Sequence, residues 1–101
     1  MILYSVTVNI DEAKEGEYID WMKKVHIPEI MATGLFVEYK FYRLHQKEED
    51  GGVNFSSQYF AENMEKIYIY QDLHAEELQN KLKIRFGDHY MAFRTILESV
   101  D

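Results

Sequence analysis

The amino-acid sequence predicts an α+β domain in which a four-stranded antiparallel sheet carries two helices on one face. Apolar and polar residues alternate in four segments, which is typical of β-strands. Two segments between them repeat apolar residues at helical spacing. The 101 residues are enough for one compact domain and too few for two, so we treat residues 1–101 as a single domain.

The first predicted strand and helix occupy the N-terminal third of the chain. Residues 2–10 alternate strictly, with apolar side chains at the even-numbered positions. Asp11 follows as a suitable N-cap, and the helix after it places Met22 and His26 on one apolar face. Pro28 disfavours helical geometry at the residue before it, so we expect this helix to end or kink near His26.

The rest of the chain adds three strands and one helix. The strands are predicted at residues 35–46, 53–60 and 89–98. Residues 48–52 form a charged, glycine-ended connection of the hairpin type. A second helix begins after Asn63 and ends near Gly87, and its predicted inner stripe includes Tyr68 and Gln71. Right-handed crossovers turn this β-α-β-β-α-β order into a ferredoxin-like sandwich.

The two faces of the predicted sheet differ in polarity. The more apolar rows should lie under the helices, namely Ile2, Tyr4, Val6, Val8, Val37, Tyr39, Phe41, Phe55, Tyr59, Met91, Phe93 and Leu97. The opposite face would show Ser5, Thr7, Gln58, Arg94, Glu38, Lys40 and Tyr42, mixed with Leu3, Phe36, Phe60 and Ile96. Large apolar residues on an otherwise solvated face usually mark an interface. We therefore expect a homodimer through the sheet face, with a monomer that leaves this face solvated as the alternative.

Composition and charge indicate which binding partners and which cellular location to expect. Eighteen acidic residues against eleven basic ones give a formal charge of −7, and such a surface repels phosphate backbones, so nucleic acid is not an expected partner. No apolar run approaches the roughly 20 residues that span a bilayer. The N-terminus has no basic residue before its apolar stretch and makes a poor signal peptide. The chain has no cysteine, and we expect a cytoplasmic location by default.

His26 is the most suggestive candidate for catalysis. It lies on the apolar face of the first helix, just before the break that proline predicts. Helix ends near a break often line a cleft, and a partly buried imidazole titrates near neutrality, as a general base requires. The alternative is a histidine at the edge of the core that caps the last helical carbonyls.

Arg94 and three aromatic residues are candidates for ligand binding. A charge flanked by apolar residues in a strand costs stability unless it is paired. Arg94 could therefore bind a carboxylate ligand through two hydrogen bonds, or it could pair across a subunit contact or with a facing Glu38 or Gln58. The aromatic residues that could form the walls of a pocket are Trp21, Tyr39 and Tyr59, although they could equally belong to the core.

The sequence predicts no metal site and no cofactor. The four histidines, at positions 26, 45, 74 and 89, have neither HxxxH nor ExxH spacing. His74 and Glu77 share a helix face, but no second pair accompanies them. Asp88 and His89 are adjacent with no nucleophile defined beside them, and no glycine-rich phosphate loop is present.

Four segments resemble a small bacterial family of unknown function. They are MILYSVTVNI at 1–10, WMKKVHIPEIMATGLF at 21–36, SSQYFAENME at 56–65 and FRTILE at 93–98. That family belongs with the dimeric α/β-barrel proteins of ferredoxin-like fold. The resemblance therefore implies this fold and a back-to-back sheet dimer, and it implies no activity.

The wider superfamily is similar in architecture to cofactor-independent antibiotic-biosynthesis monooxygenases, muconolactone isomerases, stress-response barrel proteins and haem-degrading enzymes. In those relatives the ligand occupies the cleft between the helices and the sheet of each subunit. By analogy, the cleft here would be lined by His26, Trp21, Tyr39, Tyr59 and Phe93. None of their catalytic motifs is matched, so an activity taken from them rests on fold analogy.

Three functions are compatible with these observations. The first is a homodimer that binds a small, partly aromatic or acidic molecule in the cleft. The second is a cofactor-independent oxygenase or isomerase, with His26 as base or proton donor and Arg94 or Gln58 as the orienting residue. The third is a protein-interaction or regulatory module that uses the dimer surface or Ile69 and Leu73.

Overall fold

A computed structural model describes residues 1–45 and 51–101 of the chain. The strands are β1 (Ile2–Asp11), β2 (Glu38–Leu44), β3 (Gly52–Ala61) and β4 (Tyr90–Glu98). They form one antiparallel sheet in the order β2-β3-β1-β4. This is the strand order of a ferredoxin-like sandwich, and the predicted fold class is confirmed. The predicted connection at 48–50 lies outside the described residues.

Two helical arms cover one face of this sheet. The first arm consists of α1 (Glu15–Trp21), a π-helical turn (Met22–His26) and α2 (Ile27–Met31), and it follows a 3-10 turn (Glu12–Lys14). The second arm consists of α3 (Met64–Tyr70), a π-helical turn (Gln71–Ala75) and α4 (Glu76–Phe86), and a 3-10 turn (Gly87–His89) follows it. None of the described helices is long and apolar enough to cross a membrane.

The predicted helix caps are realised only in part. The Asn63 side chain accepts a hydrogen bond from the Lys66 amide at 3.1 Å and so caps α3. Gly87 ends α4 with a φ of 57°, a conformation that favours glycine. Asp11 makes no capping hydrogen bond, and its carboxylate instead contacts Nδ1 of His89 at 2.6 Å.

A π-helical turn occupies the middle of each arm and adds one residue to the spacing of the buried side chains. Met22 and Ile27 both face the core five positions apart, and so do Tyr70 and Ala75. A regular α-helix would bring residues three or four apart onto one face. The predicted stripe of the second helix is therefore wrong at Gln71, which is exposed, because the extra residue turns Tyr70 inward. It is also wrong at Tyr68, which is 57% exposed.

The first π turn explains how the helix passes Pro28. Proline has no amide hydrogen, and in a regular α-helix its ring clashes with the carbonyl four residues earlier. Here the amide of Ile27 donates to the carbonyl of Met22, five residues back, and the turn is wider. The predicted end or kink near His26 takes the form of this wider turn, and the helix continues to Met31.

Strand register decides which residues face the helices. Tyr4 pairs with Tyr59 on β3 and with Ile96 on β4, so the helix-facing row of β4 contains Tyr90, Ala92, Arg94 and Ile96. The prediction placed Met91, Phe93 and Leu97 under the helices and is wrong. These three side chains lie on the opposite face and are 76%, 64% and 47% exposed. Both rows of β4 contain large apolar residues, so alternation alone does not distinguish them.

The sheet face away from the helices, called the open face below, has polar residues at its centre and apolar residues around them. Its polar residues include Ser5, Thr7, Ser56, Gln58 and Thr95, and its apolar residues are Leu3, Tyr42, Leu44, Phe60, Met91, Phe93 and Leu97. Phe36, Arg94 and Ile96, predicted for this face, lie elsewhere. Arg94 and Ile96 belong to the helix-facing row of β4, because they pair with Val6 and Tyr4. Phe36 precedes β2, so strand alternation does not apply to it, and its ring packs in the core against Tyr4, Tyr59 and Tyr70.

Candidate functional site

A small cavity lies between the sheet and both helical arms. Its volume is about 20 Å³, which is space for about one water molecule. The helix-facing rows of β1, β3 and β4 form its floor, and the two arms form its roof. Its polar lining consists of Tyr4, Tyr18, His26, Ser57, Tyr59, Tyr70, Gln79 and Arg94.

Four buried polar atoms around this cavity have no hydrogen-bond partner among the described residues. They are Oη of Tyr18, Nδ1 of His26, Oγ of Ser57 and Oη of Tyr59. Leaving one such group unsatisfied costs about 1–3 kcal/mol, and native proteins keep few of them. A cluster of four therefore marks a place where a water molecule or a ligand supplies the missing partners.

The tyrosine hydroxyls of the cavity are neutral. Burial raises the pKa of Tyr18, Tyr59 and Tyr70 above the ordinary value for tyrosine. The Ser57 hydroxyl lies close enough to Tyr18 and Tyr59 to offset part of the rise in pKa, although it forms no hydrogen bond of good geometry with either. At neutral pH these side chains therefore offer O–H donors and oxygen lone pairs, not phenolates.

His26 also contributes a neutral group. Its imidazole is buried, and burial lowers its pKa to about 4, with a smaller contribution in the same direction from Arg94 and an opposing one from Glu29. The sequence led us to expect titration near neutrality, and that expectation is wrong because the ring is covered on one side by Trp21. At pH 7 the unpaired Nδ1 donates or accepts one hydrogen bond according to the tautomer.

Arg94 stands where the cavity meets a wider surface groove. The groove has a volume of about 380 Å³ and shares Tyr4, Gln79 and Arg94 with the cavity. Burial raises the pKa of Tyr4, and Arg94 and Gln79 lie close enough to its hydroxyl to offset part of that rise. These three side chains therefore separate the cavity from the groove. The other residues along the groove are Gln71, Ala75, Glu76 and Ile96.

Arg94 has no carboxylate partner within the described part of the chain. The other two arginines do, in the pairs Arg43–Glu15 at 3.0 Å and Arg85–Glu17 at 3.9 Å. The partners predicted for Arg94 are wrong for reasons of topology. Glu38 lies on β2, at the far edge of the sheet, and Gln58 lies on the open face. The guanidinium charge is thus available at the groove.

The structure brings three of the five predicted site residues to one cavity. His26, Tyr59 and Arg94 all line it. Trp21 does not line it and instead stacks on the His26 ring. Tyr39 is 48% exposed on β2 and lines a separate groove of about 540 Å³.

Two further residues suggested by the sequence lie away from the cavity. Phe93, which the superfamily analogy adds to the cleft, is on the open face because of the register of β4. Leu73, proposed as a contact for a partner protein, is 70% exposed on the second arm. Ile69, proposed with it, is only partly exposed, so Leu73 alone stands fully on the surface.

Five polar residues of the cavity were not predicted from the sequence. They are Tyr4, Tyr18, Ser57, Tyr70 and Gln79. A signal exists for Ser57, which interrupts an apolar row between Phe55 and Tyr59. Tyr70 could be found only from the five-residue spacing of the π turn. Among the described residues there is no group of three or more His, Cys, Asp or Glu side chains that could hold a metal ion.

Comparison with known proteins identifies a family and a set of similar folds. Residues 1–100 match the family model described as "Domain of unknown function (DUF4286)", which confirms the resemblance to an uncharacterised family. No curated protein sequence matches the chain.

Three solved structures illustrate the similarity of fold. One is a dimeric ferredoxin-like protein from an uncultured marine organism, 12% identical, with a TM-score of 0.73 and coverage of 100% of this chain and 96% of the other. HapK from Hahella chejuensis is 10% identical, with a TM-score of 0.70 and coverage of 99% and 93%. An antibiotic biosynthesis monooxygenase is 9% identical, with a TM-score of 0.69 and full coverage, 100% of each chain. At these identities the similarity shows the fold alone.

Proposed function

The chain belongs to the DUF4286 family, and we propose that it is a cytoplasmic homodimer that binds a small molecule in the cleft between its helices and its sheet. The observation that carries this proposal is the cluster of four buried, unpaired polar atoms behind a surface groove. In a purely structural core each of these atoms lowers stability. In ligand sites, by contrast, a few convergent polar groups among apolar walls are the usual arrangement.

The size of the cavity determines how a ligand is held. The cavity has space for one water-sized group, and the groove outside it is about 380 Å³. The body of the ligand would therefore lie in the groove. One small polar group would pass Tyr4, Gln79 and Arg94 and meet the unpaired atoms.

The open face supports the homodimer. Met91, Phe93 and Leu97 add three large exposed apolar side chains to a face that the sequence already predicted to be partly apolar. An extensive exposed apolar patch on a small protein favours an interface. The structurally similar protein from a marine organism is described as dimeric. The cleft lies on the other side of the sheet, so dimerisation through the open face leaves the groove accessible.

A cofactor-independent monooxygenase or isomerase is the enzymatic alternative. It would use the same cleft with His26 as the base, and one similar structure is described as an antibiotic biosynthesis monooxygenase. A base with a pKa of about 4 removes protons poorly from weak acids near neutral pH. We therefore favour binding over catalysis, with His26 as a neutral hydrogen-bonding group.

Native mass spectrometry of the gently purified protein tests this function. We expect a dimer that carries a reproducible extra mass, one small molecule for each subunit. The double variant Tyr18→Phe/Tyr59→Phe removes two unpaired hydroxyls with little change in volume and should lose the extra mass. Tyr68→Phe, a matched change on the exposed side of α3, should keep it. A monomer, or an extra mass that persists in the double variant, would contradict the proposal.

A further inference from the structure

We infer that the ligand of the cleft is a monoanion with an uncharged oxygen group at its other end, such as a hydroxy- or oxo-carboxylate, and that Arg94 selects it. This inference rests on the proposed function and adds to it the chemical class of the ligand. It also assigns to Arg94 the role of the specificity-determining residue.

The charge of the ligand follows from the surroundings of Arg94. The protein has eighteen acidic residues, yet none of those described lies within ion-pair distance of this guanidinium. A guanidinium that faces a groove without a counter-ion is complementary to a carboxylate, which it binds through two parallel hydrogen bonds. Glu76 lines the same groove, so a second negative charge on the ligand would be repelled. One negative charge is therefore favoured over two.

The uncharged end of the ligand follows from the inner cavity. All four unpaired atoms there belong to groups that are neutral at pH 7, namely Tyr18, His26, Ser57 and Tyr59. A charged group in this place would be removed from water with no opposite charge beside it, which is strongly unfavourable. A hydroxyl or carbonyl oxygen has the right size for the space and can exchange hydrogen bonds with these atoms.

Tyr4 lies between the two ends of the site, because it lines both the cavity and the groove. Burial raises the pKa of Tyr4, and Arg94 and Gln79 lie close enough to its hydroxyl to offset part of that rise. The guanidinium has five N–H donors, so it can bind a carboxylate through two of them and still face the Tyr4 hydroxyl. A ligand that reaches from the groove into the cavity therefore passes both Arg94 and Tyr4.

Three probe molecules separate the contribution of the negative charge from that of the uncharged oxygen group. 4-Hydroxybenzoate has both the anion and the hydroxyl, benzoate has the anion alone, and 4-hydroxybenzamide has the hydroxyl without the charge. We expect 4-hydroxybenzoate to bind the dimer roughly tenfold to a hundredfold more tightly than either of the others, by isothermal titration. In NMR titrations of labelled protein, the side-chain signals of Arg94 and Gln79 should shift with both anions.

Variants of arginine show whether the preference depends on the proposed residue. Arg94→Gln should abolish the preference for 4-hydroxybenzoate over the amide, whereas Arg94→Lys should keep part of it because the charge remains. Arg85→Gln is the matched control, since Arg85 pairs with Glu17 away from the cleft. The control should bind all three probes as the unmodified protein does.

The possible results distinguish failure of this inference from failure of the proposed function. Equal binding of the acid and the amide, or an unchanged preference in Arg94→Gln, overturns the inference and leaves a ligand site. If none of the three probes shifts the signals of the cleft residues, the inference is overturned as well. If in addition the purified protein carries no bound molecule in native mass spectrometry, the proposed function fails too.

Discussion

Trp21 and His26 stack with their ring centroids 4.6 Å apart and their planes inclined by 19°, although five positions separate them in the chain. In a regular α-helix, side chains five positions apart diverge by about 140° around the axis. The π turn Met22–His26 winds more slowly and brings the two rings onto one side. The indole then shields the imidazole from solvent, which explains why the pKa of His26 is low.

The low pKa of His26 predicts a specific dependence of stability on pH. The folded protein holds His26 neutral down to a pKa of about 4, whereas the unfolded chain protonates it near its ordinary value of 6.5. Between these values the unfolded state binds more protons, so the free energy of unfolding should fall as the pH drops from 6.5 to 4. The loss due to this residue is about 3 kcal/mol, measurable by urea unfolding at several pH values.

Two variants separate His26 from the other titrating groups. His26→Phe keeps an aromatic ring against Trp21 and should flatten the stability profile between pH 4 and 6.5. His45→Gln, a change at an exposed histidine, should leave the slope unaltered. A profile that keeps its full slope in His26→Phe would show that other groups cause it.

Removal of an unpaired hydroxyl should not destabilise the protein. Tyr59→Phe takes away a buried Oη that has no partner among the described residues. We therefore expect its free energy of unfolding to be unchanged or higher by up to about 1 kcal/mol, because a desolvated group is lost without a broken hydrogen bond. Thermal unfolding of the ligand-free protein measures this. A loss of more than about 1 kcal/mol would mean that an ordered water already satisfies the hydroxyl.

A charge on the open face should prevent association. Phe93→Asp places a carboxylate among exposed apolar side chains of β4, where burial against a second sheet would be unfavourable. We expect a folded monomer in size-exclusion chromatography with light scattering. Ile84→Asp makes the same change at a highly exposed residue of α4 and should stay dimeric. Dimers in both variants would exclude the open face as the interface.

The second π turn should tolerate a deletion that a regular helix does not. Deleting Leu73 leaves Tyr70 and Ala75 four positions apart, the spacing of an ordinary α-helix. We expect the variant to fold with a loss of at most about 2 kcal/mol, within the range of ordinary single mutations. Deleting Lys83 from α4 instead rotates Phe86 about 100° out of the core, at a cost of about 3–5 kcal/mol. Urea unfolding of the two deletion variants compares them, and equal losses would contradict this interpretation.

The fold was predictable because most segments show either the alternation of a strand or the apolar spacing of a helix, and not both. The alternation in β1 and β3 and the position of Asn63 were sufficient for the element order. The orientation of β4 was not predictable, because it has large apolar residues in both of its rows. Only its pairing with β1, in which Val6 is opposite Arg94, shows that the arginine faces the cleft.

The candidate site was predictable where residue type alone was informative. His26, Tyr59 and Arg94 stand out as polar side chains in apolar surroundings, and all three line the cavity. The π turns hid the rest, because a regular helical repeat assigns Gln71 to the interior and leaves Tyr70 outside. The spacing of five between Tyr70 and Ala75, both buried, appears only in the structure.

The isolation of Arg94 in an acidic protein has a consequence for binding kinetics. An approaching anion is repelled by the net charge of −7 before it is close enough to be attracted by one guanidinium. The repulsion acts over the Debye length, which shrinks from about 30 Å at 0.01 M to about 10 Å at 0.1 M ionic strength. Added salt should therefore increase the association rate of an anionic ligand. For a protein whose whole surface attracts the ligand, added salt decreases that rate.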